Sequence, residues 1–279
     1  MSVDVSKLSG GSLIIAWQLK DKHVLIVGGG EVAAGRIENI LVADARITLI
    51  APRSGLHPQT RAYIAATPRI THHDRTFAGP HDLDGVDMVL TAIDDVDTSR
   101  EICALSRARR IPTNVADIPP SCDFYFGSQL RRLPLQIMVS TNGRGPRLAH
   151  LIRTKIEDCL PDGVESAIER VGDLRGKLRE RAPGVGGDLG KKRMGWMSDV
   201  CNTWELDDLA LLDEAAINRL LDEGWEKDRV PQPEEVLPIA KRTGQIQLPF
   251  SALVPMAVGF FVGVACTAVA VHRLASRRT

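Results

Sequence analysis

The sequence lacks a net charge, a cysteine pairing pattern and a histidine motif, and each absence narrows the possible functions. Its 35 Lys and Arg residues balance 35 Asp and Glu residues, so there is no electrostatic basis for nucleic acid as a main partner. The five cysteines are scattered without a C-x-x-C pair, and the seven histidines form neither H-x-x-x-H nor H-E-x-x-H. We therefore expect no disulfide framework and no metal-ligating residues.

The beginning of the sequence also lacks the charged and then apolar pattern of a secretory signal peptide. We therefore expect a reducing, cytosol-facing compartment. With 279 residues, of which 44% are hydrophobic, the chain can form one large domain or two modest domains with a sizeable core.

One long segment lacks charge altogether: residues 250–271, FSALVPMAVGFFVGVACTAVAV. As a helix it would extend about 33 Å, enough to cross a bilayer core of about 30 Å. A buried core helix is the alternative, but such a helix is rarely free of polar residues for this long. We predict a transmembrane anchor over 249–272, in the mitochondrial outer membrane or the endoplasmic reticulum, after a proline-rich, charged linker over 226–248.

Between residues 22 and 116, strand-like apolar runs alternate with helix-like stretches. The predicted strands are 23–28, 47–51, 69–73, 87–94 and 113–116, and the predicted helices are 31–44, 57–66 and 97–109. This alternation predicts an α/β fold in which residues 1–117 form a Rossmann-type parallel sheet domain. Two extended segments, 122–130 and 133–141, follow without a helix between them in a region over 118–145, and a helical domain is predicted over 146–225.

The stretch HVLIVGGGEVAAGRI carries a G-x-G-x-x-A motif with a strand before it and a helix after it. Gly28 permits the tight turn, Gly30 lets a pyrophosphate approach the backbone, and Ala33 allows close packing of helix on strand. The free N–H groups at the helix start, around Glu31 and Val32, would hold the phosphate charge. The motif predicts dinucleotide binding.

An acidic residue usually ends the second strand of such a domain and holds the adenosine ribose, but the sequence there is LIAPRSG. Pro52 and Arg53 occupy this place. Arg53 could hold a 2′-phosphate, which favours NADP, or it could be a solvated loop cation, so the residues leave the choice between NAD and NADP open. Asp94, at the end of the fourth strand, is expected to line the same crevice.

Asp117 follows the fifth predicted strand at its carboxyl end, where the ligands of parallel sheets bind. Desolvated beside an apolar run, such a carboxylate could act as a general acid or base. The alternative is a helix cap or a turn residue before Pro119.

Three stretches, VGGGEVAAGRI, NVADIPPSCDFYFGS and VSTNGRGPRLAHLIR, together resemble the siroheme synthase family. The resemblance covers about residues 8–225 and is greatest to fungal bifunctional members, which are precorrin-2 dehydrogenases and sirohydrochlorin ferrochelatases. It implies oxidation of precorrin-2 to sirohydrochlorin with NAD as cofactor, followed in many members by insertion of Fe²⁺, which is a substrate. It also implies a Rossmann domain, a small dimerisation region, a helical domain and a homodimer, with Asp117 as the acid/base of both steps.

A tetrapyrrole substrate carries many carboxylates, so its site must supply cations and N–H groups. Arg144, Arg147 and Arg153 cluster near the start of a helix, after the STNG loop that contains Thr141 and Asn142. Exposed amides and arginines both favour anions. We predict substrate contacts for these five residues, although basic residues on an amphipathic helix are usually only its solvated side.

Two features depart from the family pattern. No second glycine-rich nucleotide motif is present, so uroporphyrinogen methylation is expected from a separate protein, and the C-terminal anchor is additional. Two alternatives remain: a dehydrogenase without chelatase activity, or an NAD-binding regulatory module tethered to a membrane. The second alternative leaves Asp117 and the STNG loop without a role.

Overall fold

The computed structural model describes residues 10–238, which divide into two compact units. The first contains the described residues up to Ser128 together with Met138–Ile152. The second contains Gln129–Ile137 together with the described residues from Arg153 onward. The region predicted over 118–145 contains residues of both units.

The first unit contains a five-stranded parallel sheet. Its strands are β1 (His23–Val27), β2 (Arg46–Ile50), β3 (Ile70–His73), β4 (Met88–Thr91) and β5 (Thr113–Val115). Its connecting helices are α1 (Glu31–Val42), α2 (Pro58–Ala66) and α3 (Val96–Ala108). The strand order is β3-β2-β1-β4-β5, with all neighbours parallel. The α/β fold with a parallel sheet is thus confirmed.

The core of this unit follows from the alternation of side chains along the central strand. Val24 and Ile26 of β1 belong to a cluster that includes residues of α1, whereas Leu25 and Val27 belong to a second cluster that includes Ile102 of α3. Successive residues of a strand point to opposite faces, so an unbroken apolar run buries both faces of the sheet.

Two short strands and a helix follow the sheet. β6 (Ser128–Arg132) pairs with β7 (Leu135–Val139), and α4 (Pro146–Asp158) comes next. The predicted extended segments over 122–130 and 133–141 are thus partly confirmed. The first strand begins later than predicted because the preceding segment bonds to β5 instead: Asp123 donates its N–H to the Thr113 carbonyl at 2.8 Å, and the Asn114 amide donates to the Phe124 carbonyl at 2.7 Å.

The second unit has its own helical core, which confirms the predicted helical C-terminal region. Its helices are α5 (Val164–Arg181), α6 (Gly187–Thr203), α7 (Leu206–Ala210), α8 (Glu214–Leu220) and α9 (Pro233–Val236). A π-helical turn, Leu221–Trp225, extends α8. The most buried side chains of this core include Leu174, Leu178, Val200 and Leu212.

The linker predicted over 226–248 begins later than expected. The indole N–H of Trp196 donates to the Arg229 carbonyl at 2.8 Å, and that of Trp204 donates to the Pro231 carbonyl at 2.9 Å. Val236 and Leu237 are buried in the same core. Proline and charge content suggested a linker, but hydrogen bonds from distant tryptophans fix this segment, and such bonds leave no mark on local composition.

Within residues 10–238, no helix is both long enough and apolar enough to span a bilayer. The transmembrane helix predicted over 249–272 lies outside the described residues and stays a prediction.

Candidate functional site

The turn between β1 and α1 requires two of its three glycines for internal reasons. Gly28 has a φ of 111°, and a Cβ on this residue would lie 2.0 Å from the Ala92 carbonyl oxygen. A Cβ on Gly29 would lie 2.4 Å from a methyl group of Leu56. Gly28 cannot accept a side chain, and a side chain at Gly29 would require Leu56 to move, so the turn lies tightly against the neighbouring segments.

Gly30 is different because the fold does not require a glycine there. Its φ of −73° suits any residue, and no described atom lies within 4 Å of a Cβ built on it. Gly30 is the N-cap of α1, no side chain of the described residues caps this helix, and Glu31 and Val32 are exposed in its first turn. Ala33 is fully buried. This open backbone at a helix start suits the pyrophosphate of a dinucleotide.

The segment after β2 lies directly beside the glycine turn. His57 donates its N–H to the Gly29 carbonyl at 2.8 Å, and Pro52 and Arg53 are exposed at the carboxyl edge of the sheet. Arg53 has a partner that the sequence did not reveal: its N–H donates to Asp74 Oδ1 at 2.7 Å, and its Nε lies 3.6 Å from Asp74 Oδ2. Asp74 follows β3, the neighbour of β2.

Asp94 is exposed in the turn after β4, on the same edge of the sheet. The next residue, Asp95, is the N-cap of α3, because its carboxylate accepts the Thr98 N–H at 3.0 Å. This hydrogen bond lowers the pKa of Asp95. Of the two adjacent carboxylates, Asp95 thus has a structural role, and the role of Asp94 in lining the crevice stays a prediction.

Asp117 lies two residues beyond the end of β5, with a left-handed φ of 58°. Its side chain is exposed, so the desolvation expected from the neighbouring apolar run is not present in the single chain. Of the structural alternatives, the helix cap fails, because Ile118 is the N-cap of the short 3-10 turn that follows, whereas Asp117 does lie in a turn. The acid/base role of Asp117 stays a prediction, and the structure places the carboxylate where a large ligand could reach it.

Arg36, on α1, is a residue near Asp117 that sequence reasoning missed. Its guanidinium donates to Asn114 Oδ1 and lies over the Phe126 ring, 5.3 Å from the ring centroid. Burial lowers the pKa of Arg36, while the nearby Cys122 and Asp117 act in the opposite direction. The signal was present in the sequence, since Arg36 and Asn114 both stand inside the quoted motifs, but only the fold brings them together.

Cys122 holds the chain on both sides of Asp117. Its thiol donates to the Val115 carbonyl at 3.1 Å and lies 3.5 Å from the Ile118 carbonyl. Burial raises the pKa of Cys122, although the contact with Val115 and the charge of Arg36 oppose the shift. The thiol is therefore neutral at physiological pH and acts as a hydrogen-bond donor that fixes this loop.

The STNG loop is ordered by two of the predicted substrate residues. Thr141 Oγ1 accepts the Gly145 N–H at 3.1 Å. The Asn142 amide donates to the Gly10 carbonyl at 3.1 Å and accepts from the Ser12 hydroxyl at 2.8 Å. Both side chains thus have structural partners, which leaves their predicted substrate contacts untested.

The predicted basic cluster is only partly assembled. Arg144 and Arg147 are exposed at the start of α4 in the first unit. Arg153 belongs to the second unit and forms an ion pair with Glu157 at 2.9 Å. Within residues 10–238, no group of three or more His, Cys, Asp or Glu side chains could hold a metal ion.

Known families and proteins match nearly the whole described chain. Residues 15–128 match a family model described as NAD(P)-binding, residues 132–158 match the central model of sirohaem biosynthesis proteins, and residues 161–231 match the C-terminal model. The siroheme biosynthesis protein met8 of Schizosaccharomyces pombe is 50% identical over 227 residues, which are 81% of this chain and 84% of that protein.

Bacterial relatives are longer, and a solved structure shares the fold. The siroheme synthase of Methylobacillus flagellatus is 39% identical over 170 residues, 61% of this chain and 36% of that protein. The structure of SirC, precorrin-2 dehydrogenase, superposes with a TM-score of 0.58 at 19% identity, over 76% of this chain and 98% of that chain. The ordered family matches and the 50% identity show that this chain belongs to the family of siroheme biosynthesis proteins.

Proposed function

We propose that this chain oxidises precorrin-2 to sirohydrochlorin with NAD⁺ and then inserts Fe²⁺ to give siroheme. The observation that carries the proposal is the 50% identity with a siroheme biosynthesis protein over most of both chains. The solved structure that shares the fold is that of a precorrin-2 dehydrogenase, which agrees with the first step. A dehydrogenase without chelatase activity is the alternative.

The cofactor side of the site is formed by the glycine turn and the segment after β2. The open backbone at Gly30 and the first turn of α1 would hold the pyrophosphate, and Pro52 and Arg53 would lie beside the adenosine ribose. Asp94 lies farther along the same edge. Bound NAD⁺ supplies the two-electron acceptor for the oxidation.

Asp117 would carry the proton chemistry of both steps. Oxidation of the macrocycle releases one proton, and metal insertion releases the protons of two pyrrole N–H groups. A single exposed carboxylate at the sheet edge can accept these protons once the ring covers it, because the ring then removes water from around it. Arg36 and Cys122 act as positioning residues for the loop that carries Asp117. The ring nitrogens are the final ligands of iron, so the step requires no resident metal site.

The substrate's carboxylates would contact the start of α4. Arg144 and Arg147 are exposed there. Guanidinium groups hold carboxylates with two parallel hydrogen bonds. Arg153 would join them only if its ion pair with Glu157 opened.

The direct test is incubation of the purified protein with precorrin-2 and NAD⁺. We expect NADH to form together with the absorption spectrum of sirohydrochlorin. A second anaerobic incubation with sirohydrochlorin and Fe²⁺ should then give the siroheme spectrum. An unchanged spectrum in the second incubation would leave only the dehydrogenase, and no NADH in the first would remove the proposal altogether.

The chain also has a surface suited to a homodimer. Leu148, Leu151 and Ile152 form an exposed apolar stripe on α4, and Leu13 and Ile14 are exposed in the N-terminal segment of the same unit. Clustered apolar side chains at a surface favour association. We propose that a second copy of the chain covers them, in line with the homodimer that the resemblance to the siroheme synthase family implies.

For the location, we propose a cytosol-facing enzyme held at a membrane by residues 249–272. The support is the uncharged segment of 22 residues over 250–271. Removal of residues 249–279 should move the protein from the membrane pellet to the supernatant without loss of activity. Full-length protein found in the supernatant would contradict the anchor.

A further inference from the structure

The end of β2 has no acidic residue in sequence, but the fold supplies one from the next strand. In Rossmann domains a carboxylate at this place favours NAD, and an arginine there accommodates the 2′-phosphate of NADP. Arg53 alone would therefore favour NADP. The carboxylate of Asp74, which follows β3, contacts both the N–H and the guanidinium Nε of Arg53, at 2.7 and 3.6 Å.

Backbone hydrogen bonds hold this pair beside the cofactor turn. Gly28 donates its N–H to the Ile50 carbonyl at 2.9 Å, and Ala51, which is next to Pro52, donates to the His73 carbonyl at 3.2 Å. His57 closes the segment onto the Gly29 carbonyl. The position of Asp74 relative to the glycine turn is thus fixed through the sheet edge.

We propose that Asp74 makes this enzyme select NAD over NADP. Its carboxylate compensates the charge of Arg53 and opposes a 2′-phosphate, which carries a charge of about −2. The side chains of Arg53 and Asp74 are 75% and 52% exposed, so a dinucleotide can reach both. The inference rests on the proposed use of a nicotinamide dinucleotide and adds the residue that selects between its two forms.

A purely structural role for Asp74 makes a different prediction. Its Oδ1 accepts the Arg53 N–H at the start of a 3-10 turn, Arg53–Gly55, and an asparagine or serine could accept the same bond. If Asp74 only caps this turn, a neutral replacement that keeps an acceptor would leave the preference between NAD and NADP unchanged.

The test measures the dissociation constants of NAD⁺ and NADP⁺ for the full chain and for Asp74→Asn. We expect NADP⁺ to bind about tenfold or more tightly after the substitution, since a like charge is removed from its phosphate. NAD⁺ affinity should change by less than about threefold, because it has no charge at the 2′ position. Asp74→Ser should act in the same direction, and adding Arg53→Gln to Asp74→Asn should remove the gain.

A matched control breaks an exposed pair at the opposite end of the sheet. Asp44 contacts Arg69 at 3.3 Å, and Asp44→Asn makes the same change in net charge, so it should leave both dissociation constants unchanged. An unaltered NADP⁺ affinity in both Asp74 variants, with NAD⁺ binding intact, would overturn the inference. Failure of the unmodified chain to bind either dinucleotide would instead reject the proposed function.

Discussion

At the carboxyl edge of the sheet, the glycine turn and the Asp117 loop are held in different ways. Gly28 and Gly29 press against Ala92 and Leu56, so the backbone of the cofactor side is fixed by the chain's own interior. Asp117 is exposed in a left-handed conformation.

The difference indicates how the cofactor and the substrate would each bind to the protein. The cofactor side is preorganised, because binding there requires little movement of a turn that is already closely packed. On the proposed substrate side, Cys122 and Arg36 hold the loop that carries Asp117, but the Asp117 carboxylate is exposed to water. In the proposed mechanism, the substrate itself excludes this water.

The largest effect is expected from Asp117→Asn, which tests the substrate side alone. Precorrin-2 oxidation should fall by about 10²–10⁴-fold, the usual contribution of general acid–base catalysis. The NAD⁺ dissociation constant should stay unchanged, because the cofactor side does not depend on this carboxylate. Stopped-flow or steady-state NADH formation and NAD⁺ titration are the measurements. Full turnover in this variant would remove Asp117 from the mechanism.

On the cofactor side, two glycine substitutions distinguish an effect on stability from an effect on cofactor binding. Gly28→Ala should lower the free energy of unfolding by about 3 kcal/mol or more, because of its positive φ and the clash with Ala92. Gly30→Ala should cost only about 1 kcal/mol, as for an alanine at an N-cap, yet weaken NAD⁺ binding by about tenfold or more. Urea unfolding measures the stability of each variant, and NAD⁺ titration measures its affinity for the cofactor. Normal NAD⁺ affinity in Gly30→Ala would place the pyrophosphate elsewhere.

A substitution in the exposed apolar stripe of α4 tests whether a second copy of the chain covers this surface. Leu151→Glu should weaken a dimer by about thirtyfold or more, as for loss of a central apolar contact worth about 2 kcal/mol. Val185→Glu, which changes a still more exposed apolar residue in the second unit, should leave the dimer intact. Sedimentation velocity gives both results. A monomeric parent chain would reject the dimer.

The smallest effect is expected from Arg36→Met, which removes the cation beneath the Asp117 loop. Loss of the bond to Asn114 and of the contact with Phe126 should lower the free energy of unfolding by about 1–2 kcal/mol. Arg100→Met, which breaks an exposed pair with Asp97, should cost about 1 kcal/mol or less. The midpoints of urea unfolding are measured for both variants and compared. Equal midpoints would mean that Arg36 does not hold the loop more firmly than a surface pair.

Most of the fold could be predicted because its signals are local. An apolar run followed by a glycine turn and an amphipathic stretch predicts β1 and α1 without knowledge of the rest of the chain. The segment 226–237 could not be predicted, since Trp196 and Trp204 fix it from a distance. The candidate site shows the same division: the glycine motif was visible, whereas Arg36 and Asp74 acquire their partners only through the sheet.

The sequence by itself determined the glycine turn, the order of strands and helices, and the family, because each depends on residues that are close along the chain. Only the tertiary structure decided which charged side chains lie close to one another. It placed Asp74 on Arg53, because the parallel strands β2 and β3 bring their carboxyl ends to one edge regardless of the number of residues between them. It also placed Arg36 of α1 beside Asp117.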